Sequence, residues 1–281
     1  MDQAEFKQFF SEYAQNVDQA EQQYFWKLSD ELMEGIIRQH VPADLPSDAV
    51  LMDAGGGTGR WIVKLSAVYA CRFTLVDLSE DMVAKARGNI SAANLDGRVR
   101  IVQSDLLHMP KIADASIDHI VSIYSPISFV SDPILAAREL YRILKPGGLI
   151  IMMGQGLLNA LASKINNFQA PASELRQIVA ESQVKWAEFV PKLNMFTQES
   201  LQALLAGAGF VPVRSYGVPV FTQPGPEDFD PKNEQLSRIS RALREQKDFH
   251  AAVLEIERRY HAEPTIVNRG MNIVAVARKA E

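Results

Sequence analysis

Cysteine is nearly missing from this sequence, and other signals are missing with it. Cys71 stands alone in 281 residues, so the chain makes no internal disulfide and no cysteine-based metal cage. Just ahead of a β-rich run, it reads as a small apolar core residue. The histidines at 40, 108, 119, 250 and 261 show no metal-ligand spacing, and no metal is expected. They read as surface or packed residues, with His250 and His261 the two able to reach a site from a late helical segment. Basic charge is not in excess: 29 Lys and Arg face 34 Asp and Glu, a net charge of -5, which gives no general reason to expect a nucleic-acid partner and leaves only a local basic patch open. No apolar run approaches the roughly 18 residues of a membrane span. The opening "MDQAEFKQFFSEY" is acidic and polar, without the basic start and apolar run of a secretory leader. The chain therefore reads as cytoplasmic, with no membrane partner, and 47% apolar content is ordinary for a globular core.

What is present is an alternation. Short β-rich runs at Val50–Met52, Phe73–Val76, Val99–Val102, Ile117–Ile123, Leu149–Met153, Val211–Tyr216 and Ile273–Ala277 give seven strands. Helical patterns such as Asp81–Ala93 and Pro133–Leu144 separate the first five. Such alternation predicts an α/β protein with a doubly wound, mostly parallel sheet, and residues 1–281 are expected to form one domain. Three segments, approximately 1–40, 155–195 and 222–267, fall outside it. The first places Phe6, Phe9, Phe10 and Tyr13, then Tyr24, Leu28, Leu32 and Ile36, at helical spacing. The second sets Leu175, Ile178, Val179, Ser182, Trp186 and Phe189 on one helical face stopped by Pro191. The third offers Asp230-Pro231 as a helix start, then Leu236, Ile239, Leu243, Phe249, Val253, Ile256 and Tyr260 in helical period. Long structureless loops are rare inside compact domains, so these segments are expected to be helical caps over one end of the sheet.

The stretch "VLMDAGGGTGRW" runs a strand into four glycines within positions 55–59 and then into a helix. Glycines permit φ > 0 and let a ligand approach the main chain closely. The spacing is neither of two common nucleotide loops. A dinucleotide loop needs glycine where Arg60 stands, and a phosphate-binding P-loop needs a lysine that is absent. The pattern is Asp53-x-Gly55-x-Gly57-x-Gly59, followed by "LVDLSEDM" with Asp77 at a strand tip, "VQSDLLHMP", and the turn "LKPGG" at Leu144–Gly148.

In these motifs the chain resembles the class I S-adenosylmethionine (SAM)-dependent methyltransferases, over roughly Val50 to Phe210 plus the final strand. The resemblance implies a Rossmann-like fold with an antiparallel last strand, and SAM as cofactor with S-adenosylhomocysteine (SAH) as product. It implies that Asp53 and the loop Gly55, Gly56, Gly57, Thr58 and Gly59 face the methionine moiety. By the same likeness Asp77 takes the ribose hydroxyls, Leu78 and Met82 flank the adenine, and Ser104, Asp105 and Leu106 meet its edge. Tyr13 closes over the cofactor. The acceptor pocket is expected at the end of strand four, "SIYSPISFVSDP", from Tyr124, Ser125, Ser128 and Phe129, with Trp186 from the cap as a further candidate.

Absences narrow the acceptor. The Asn/Asp-Pro-Pro-aromatic tetrapeptide of nucleic-acid amino-methyltransferases is replaced by Ser125-Pro126-Ile127-Ser128, and many relatives carry a histidine where Ser128 stands. No general base is therefore evident, and the catalytic residue is left open. Arg238, Arg241 and Arg244 recur at every third position and read as a solvated face or, alternatively, as contacts to an anionic acceptor. The expectation is an O- or N-methyltransferase for a small organic acceptor, with nucleic acid disfavoured. A tRNA or protein methyltransferase and a non-catalytic SAM-binding sensor are the rivals.

Overall fold

In the computed structural model, residues 9–11, 13–14, 23–188, 190–229 and 235–281 are described. Five strands, β1 (Val50–Ala54), β2 (Arg72–Asp77), β3 (Val99–Gln103), β4 (Ile117–Ser122) and β5 (Leu144–Gly156), form a parallel sheet in the order β3-β2-β1-β4-β5. Four more follow: β6 (Gln183–Val184), β7 (Leu193–Phe196), β8 (Val211–Val218) and β9 (Asn272–Arg278). Strand β9 runs antiparallel to β5 and carries β8 on its other side.

Side chains along these strands alternate between two cores, as the period of two requires. Leu51, Ile151 and Val274 enter one, while Met52, Ile150 and Ile273 enter the other. The first core receives α1 (Tyr24–His40), whose Leu28, Leu32 and Ile36 are buried as their spacing predicts, together with α2 (Arg60–Ser66) and α3 (Glu80–Ala92). The short α4 (Pro126–Phe129), α5 (Pro133–Ile143) and α8 (Gln198–Gly207) pack on the other face. Polar side chains set helix starts on both faces: Ser79 accepts from Met82 N, Asp132 from Leu135 N and Thr197 from Ser200 N.

Among the described residues the sheet has nine strands where the sequence suggested seven, and the extra pair sits in a segment expected to be helical. After α6 (Leu157–Asn166), helix α7 (Ala172–Glu181) stops at Ser182, which is left-handed at φ 50°, well short of Pro191. Residues 183–184 then pair antiparallel with 193–194, and β7 extends the sheet by joining the end of β5 at Gln155 and Gly156. Ile178 is buried but Val179 is 65% exposed, so the apolar period there does not mark one buried face. Trp186 lies in the β6–β7 connection, and Phe189 lies outside the described residues.

The third cap segment is helical, as α9 (Arg238–Glu245) and α10 (Lys247–Tyr260). Asp230 and Pro231 lie outside the described residues; α9 begins at Arg238, capped by Ser237. In α10 the fully buried residue is Glu257, while Phe249, Ile256 and Tyr260 remain exposed. No helix among the described residues is long and apolar enough to cross a membrane.

Candidate active site at the carboxyl ends of the strands

Beyond the carboxyl ends of β1, β2, β4 and β5 lies a cavity of about 1780 Å³, where open α/β sheets place their ligands. Its floor is the sheet. Its cover comes from Phe9, Phe10, Tyr13 and Trp26, from α6, and from the loops around 186–190, 220–229 and 265–272.

On the β1–β2 side the glycine loop forms the wall. Gly55, Gly57 and Gly59 have φ of 75°, 52° and 78°, a region side chains rarely adopt. A Cβ at Gly55 would come within 2.4 Å of Pro126, and one at Gly56 within 2.9 Å of the Asp53 carboxyl. Bareness here keeps the backbone close to the strands and the cavity open. Asp53 lines the cavity and is 3% exposed, and its Oδ2 is buried with no hydrogen-bond partner. Burial first, and the Asp77 charge second, push its carboxyl up to about 7. Asp77 is held for use: Gly57 N donates to Oδ2 at 2.9 Å and Ser79 N to Oδ1 at 2.8 Å. Burial raises its pKa against the pull of those donors.

The structure brings Tyr13, Asp53, Gly55, Gly56, Gly57, Thr58, Asp77, Leu78, Met82, Asp105 and Leu106 to this one cavity. Two expected neighbours stand outside it. Gly59 is the N-cap of α2, and the Ser104 hydroxyl donates to the His108 carbonyl at 3.0 Å.

At the end of β4, Tyr124 and Ser125 are both left-handed, at φ 62° and 67°. Each is pinned. The Tyr124 hydroxyl donates to Asp30 of α1, and the Ser125 hydroxyl donates to Asn272 Oδ1 at 3.0 Å. Asp30 also receives Arg60 and, at 2.7 Å, Lys64, while the Arg60 guanidinium lies 5.2 Å from the Tyr124 ring centroid. Burial, then the Asp30 charge, raises the Tyr124 phenol well above its usual range, so it stays protonated.

Phe129 lines the cavity and packs with Phe9 and Phe10, at centroid distances of 6.1 and 5.1 Å. Trp186 lines it too, donating to Gln155 Oε1 at 3.1 Å. Ser128 does not: it is fully buried, and its hydroxyl accepts from Gln155 N at 3.0 Å. The expected pocket residue is a strand-end anchor, because the α4 turn points its side chain toward β5. None of the histidines lines the cavity. His250 contacts Glu31 and His261 packs on Tyr216. Arg238, Arg241 and Arg244 are exposed and away from it.

Residues 51–148 match a methyltransferase domain family. The ubiquinone/menaquinone biosynthesis C-methyltransferase UbiE of Saccharophagus degradans is 27% identical over 174 residues, covering 60% of this chain and 69% of that protein. The tRNA 5-carboxymethoxyuridine methyltransferase of Escherichia coli is 24% identical over 243 residues, covering 84% and 82%. Residues 51–148 thus form a methyltransferase domain, and these likenesses support a class I SAM-dependent methyltransferase. Its fold agrees with that of Streptomyces coelicolor geranyl diphosphate C-methyltransferase, at a TM-score of 0.57 and 17% identity over 89% of this chain and 79% of that one.

The likenesses support SAM as the cofactor, and the wall fits it. A bare loop gives room, and a buried carboxylate oxygen without a partner suits an ammonium. Reading the methyltransferase from sequence missed the Asp30–Arg60–Lys64–Tyr124 cluster, Trp26 and the Gln155 side chain. Arg60 carried a signal, since a long cation directly after the glycines must find a counter-charge. Its partner lies 30 residues upstream on α1, and no local pattern joins the two. Among the described residues, no group of three or more His, Cys, Asp or Glu is placed to share a metal ion.

Proposed function

We propose that this methyltransferase moves the methyl group of SAM to an O or N atom of a small organic acceptor with an apolar or aromatic body. The observation that carries the reading is the lining of the cavity away from the glycine loop. There aromatic rings and amides predominate, with Trp26, Phe129, Phe168, Trp186, Gln155 and Asn159 among them. No histidine lines it, and of the lining tyrosines Tyr13 and Tyr124 the latter is committed to Asp30.

SAM supplies an activated methyl on a sulfonium that leaves readily. In this reading Asp53 receives the ammonium, Asp77 accepts from the ribose hydroxyls, and Leu78 and Met82 flank the adenine. Asp105 and the Leu106 backbone meet the adenine edge, and Tyr13 closes over it. The acceptor lies against Tyr124, Ser125, Phe129 and Trp186. With no histidine on the wall and Tyr124 committed to Asp30, the chain's contribution is alignment and exclusion of water, worth roughly 7–11 kcal/mol in favourable cases. An amine or an already ionised oxygen suits such a site, because neither must lose a proton to a side chain.

The test is SAH production from SAM with panels of small amines, phenols and carboxylic acids, set against bulk tRNA and protein, with the methylated atom assigned by NMR. Turnover on a small O or N acceptor supports the reading. Turnover only on tRNA or protein overturns it in favour of a macromolecular acceptor, and a methylated carbon corrects the atom.

A further inference from the structure

Two arginines line the cavity, and only one has an answering carboxylate. Arg60 is committed to Asp30. Arg269 ends the 3-10 turn Val267–Arg269, lines the cavity, and pairs with no acid among the described residues. Its guanidinium lies 5.8 Å from the centroid of the Phe221 ring.

The mounting is firm on both sides. A Cβ at Gly270 would fall 2.5 Å from Gly217 Cα, one at Gly217 2.5 Å from the Val267 carbonyl oxygen, and one at Gly156 2.2 Å from the Gly270 carbonyl oxygen. Three glycines thus clamp the Arg269 turn onto β8 and the end of β5. The Phe221 side is fixed by Glu257, which is fully buried and accepts from the backbone N–H groups of Val220, Phe221 and Thr222 at 2.8, 3.0 and 2.7 Å. Asp228, a carboxylate that lines the cavity, is spent internally, accepting from Gly225 N at 2.9 Å and Ser240 Oγ at 2.6 Å.

An exposed guanidinium on a clamped turn, beside an aromatic face at the edge of an apolar cavity and with no ion pair to an acid among the described residues, fits a carboxylate carried on an apolar body. One cation balances one negative charge. A phosphate dianion would call for more donors, and no lysine among the described residues lines the cavity. We propose that Arg269 holds a carboxylate of the acceptor, which makes the substrate class an apolar or aromatic carboxylic acid. Bound there, the carboxylate serves as a handle that orients the acceptor body in the cavity. The inference rests on reading this cavity as the site of a small acceptor.

The test uses the whole protein saturated with SAH, titrated calorimetrically with 2-naphthoate and with its neutral counterpart 2-naphthylmethanol. The native chain is expected to favour the acid by about five- to tenfold. Arg269→Gln should abolish that preference and Arg269→Lys should keep part of it, with SAH affinity unchanged in both as the control on folding. Equal binding of the two probes to the native chain, or a preference that survives Arg269→Gln, overturns the carboxylate subsite and leaves the small-acceptor reading standing. If neither probe binds, that reading falls and the subsite falls with it.

Discussion

Tyr124 and Ser125 stand side by side in a backbone region that non-glycine residues seldom occupy, at a cost on the order of 1 kcal/mol or more each. The Asp30 and Asn272 contacts hold them there, which places that strain where β4 meets the cavity. Asp53 stores a different cost. Burial lifts its pKa from 3.8 to about 7, so its contribution to apoprotein stability is fullest below the ordinary carboxylate pKa and is lost as pH rises through 7. If an ammonium is its partner, binding favours the ionised form. SAH affinity should then rise about tenfold per pH unit below 7 and level off above it, as calorimetry between about pH 5.5 and 8.5 would read; a flat profile would separate Asp53 from the ammonium. Ser128 belongs to stability. Ser128→Ala leaves Gln155 N–H without its acceptor and should cost on the order of 1–3 kcal/mol in denaturant unfolding, with SAH affinity kept.

Among the elements, α10 is joined to the sheet by Glu257, whose carboxylate also takes the Thr222 hydroxyl at 2.8 Å. Glu257→Gln replaces one of the two acceptor oxygens with an amide donor that faces backbone N–H groups. It should cost on the order of 2–3 kcal/mol and loosen residues 220–222, which faster amide hydrogen exchange at those positions would report. This element was half legible in the sequence. The helical period of Phe249, Val253, Ile256 and Tyr260 marked the helix but not its buried face, because an acid held by three backbone donors on a distant loop leaves no local pattern. The seven main strands were legible, since each β-rich run is bounded by turn or helix signals. The β6–β7 hairpin was not: two-residue pairing at 183–184 is below any periodicity, and Ser182 carries no glycine-like cue for its left-handed turn. Within the site, the glycine loop, Asp53 and Asp77 were readable because their chemistry is local. Asp30, Asn272 and Arg269 were not, because each acts across elements far apart in the chain.

Across the whole molecule, the cavity is assembled from segments spread over most of the chain, from Phe9 to Asn272. The sheet that supports it depends on β9, which pairs with β5 on one side and β8 on the other. Deleting residues 272–281 should leave β8 without a partner strand and Ser125 without Asn272. The expected outcome is loss of a cooperative thermal transition by circular dichroism and loss of SAH binding; a truncated protein that still melts cooperatively and binds SAH would contradict this role for β9. The placement of β9 also bears on biosynthesis. While the chain emerges from the ribosome, β5 and β8 are both available before the strand that must lie between them, so their direct pairing is an open wrong turn until residues 272–278 arrive. Slowing translation just upstream of β9 should therefore lower the yield of native protein, whereas the same pause placed ahead of β1 should not.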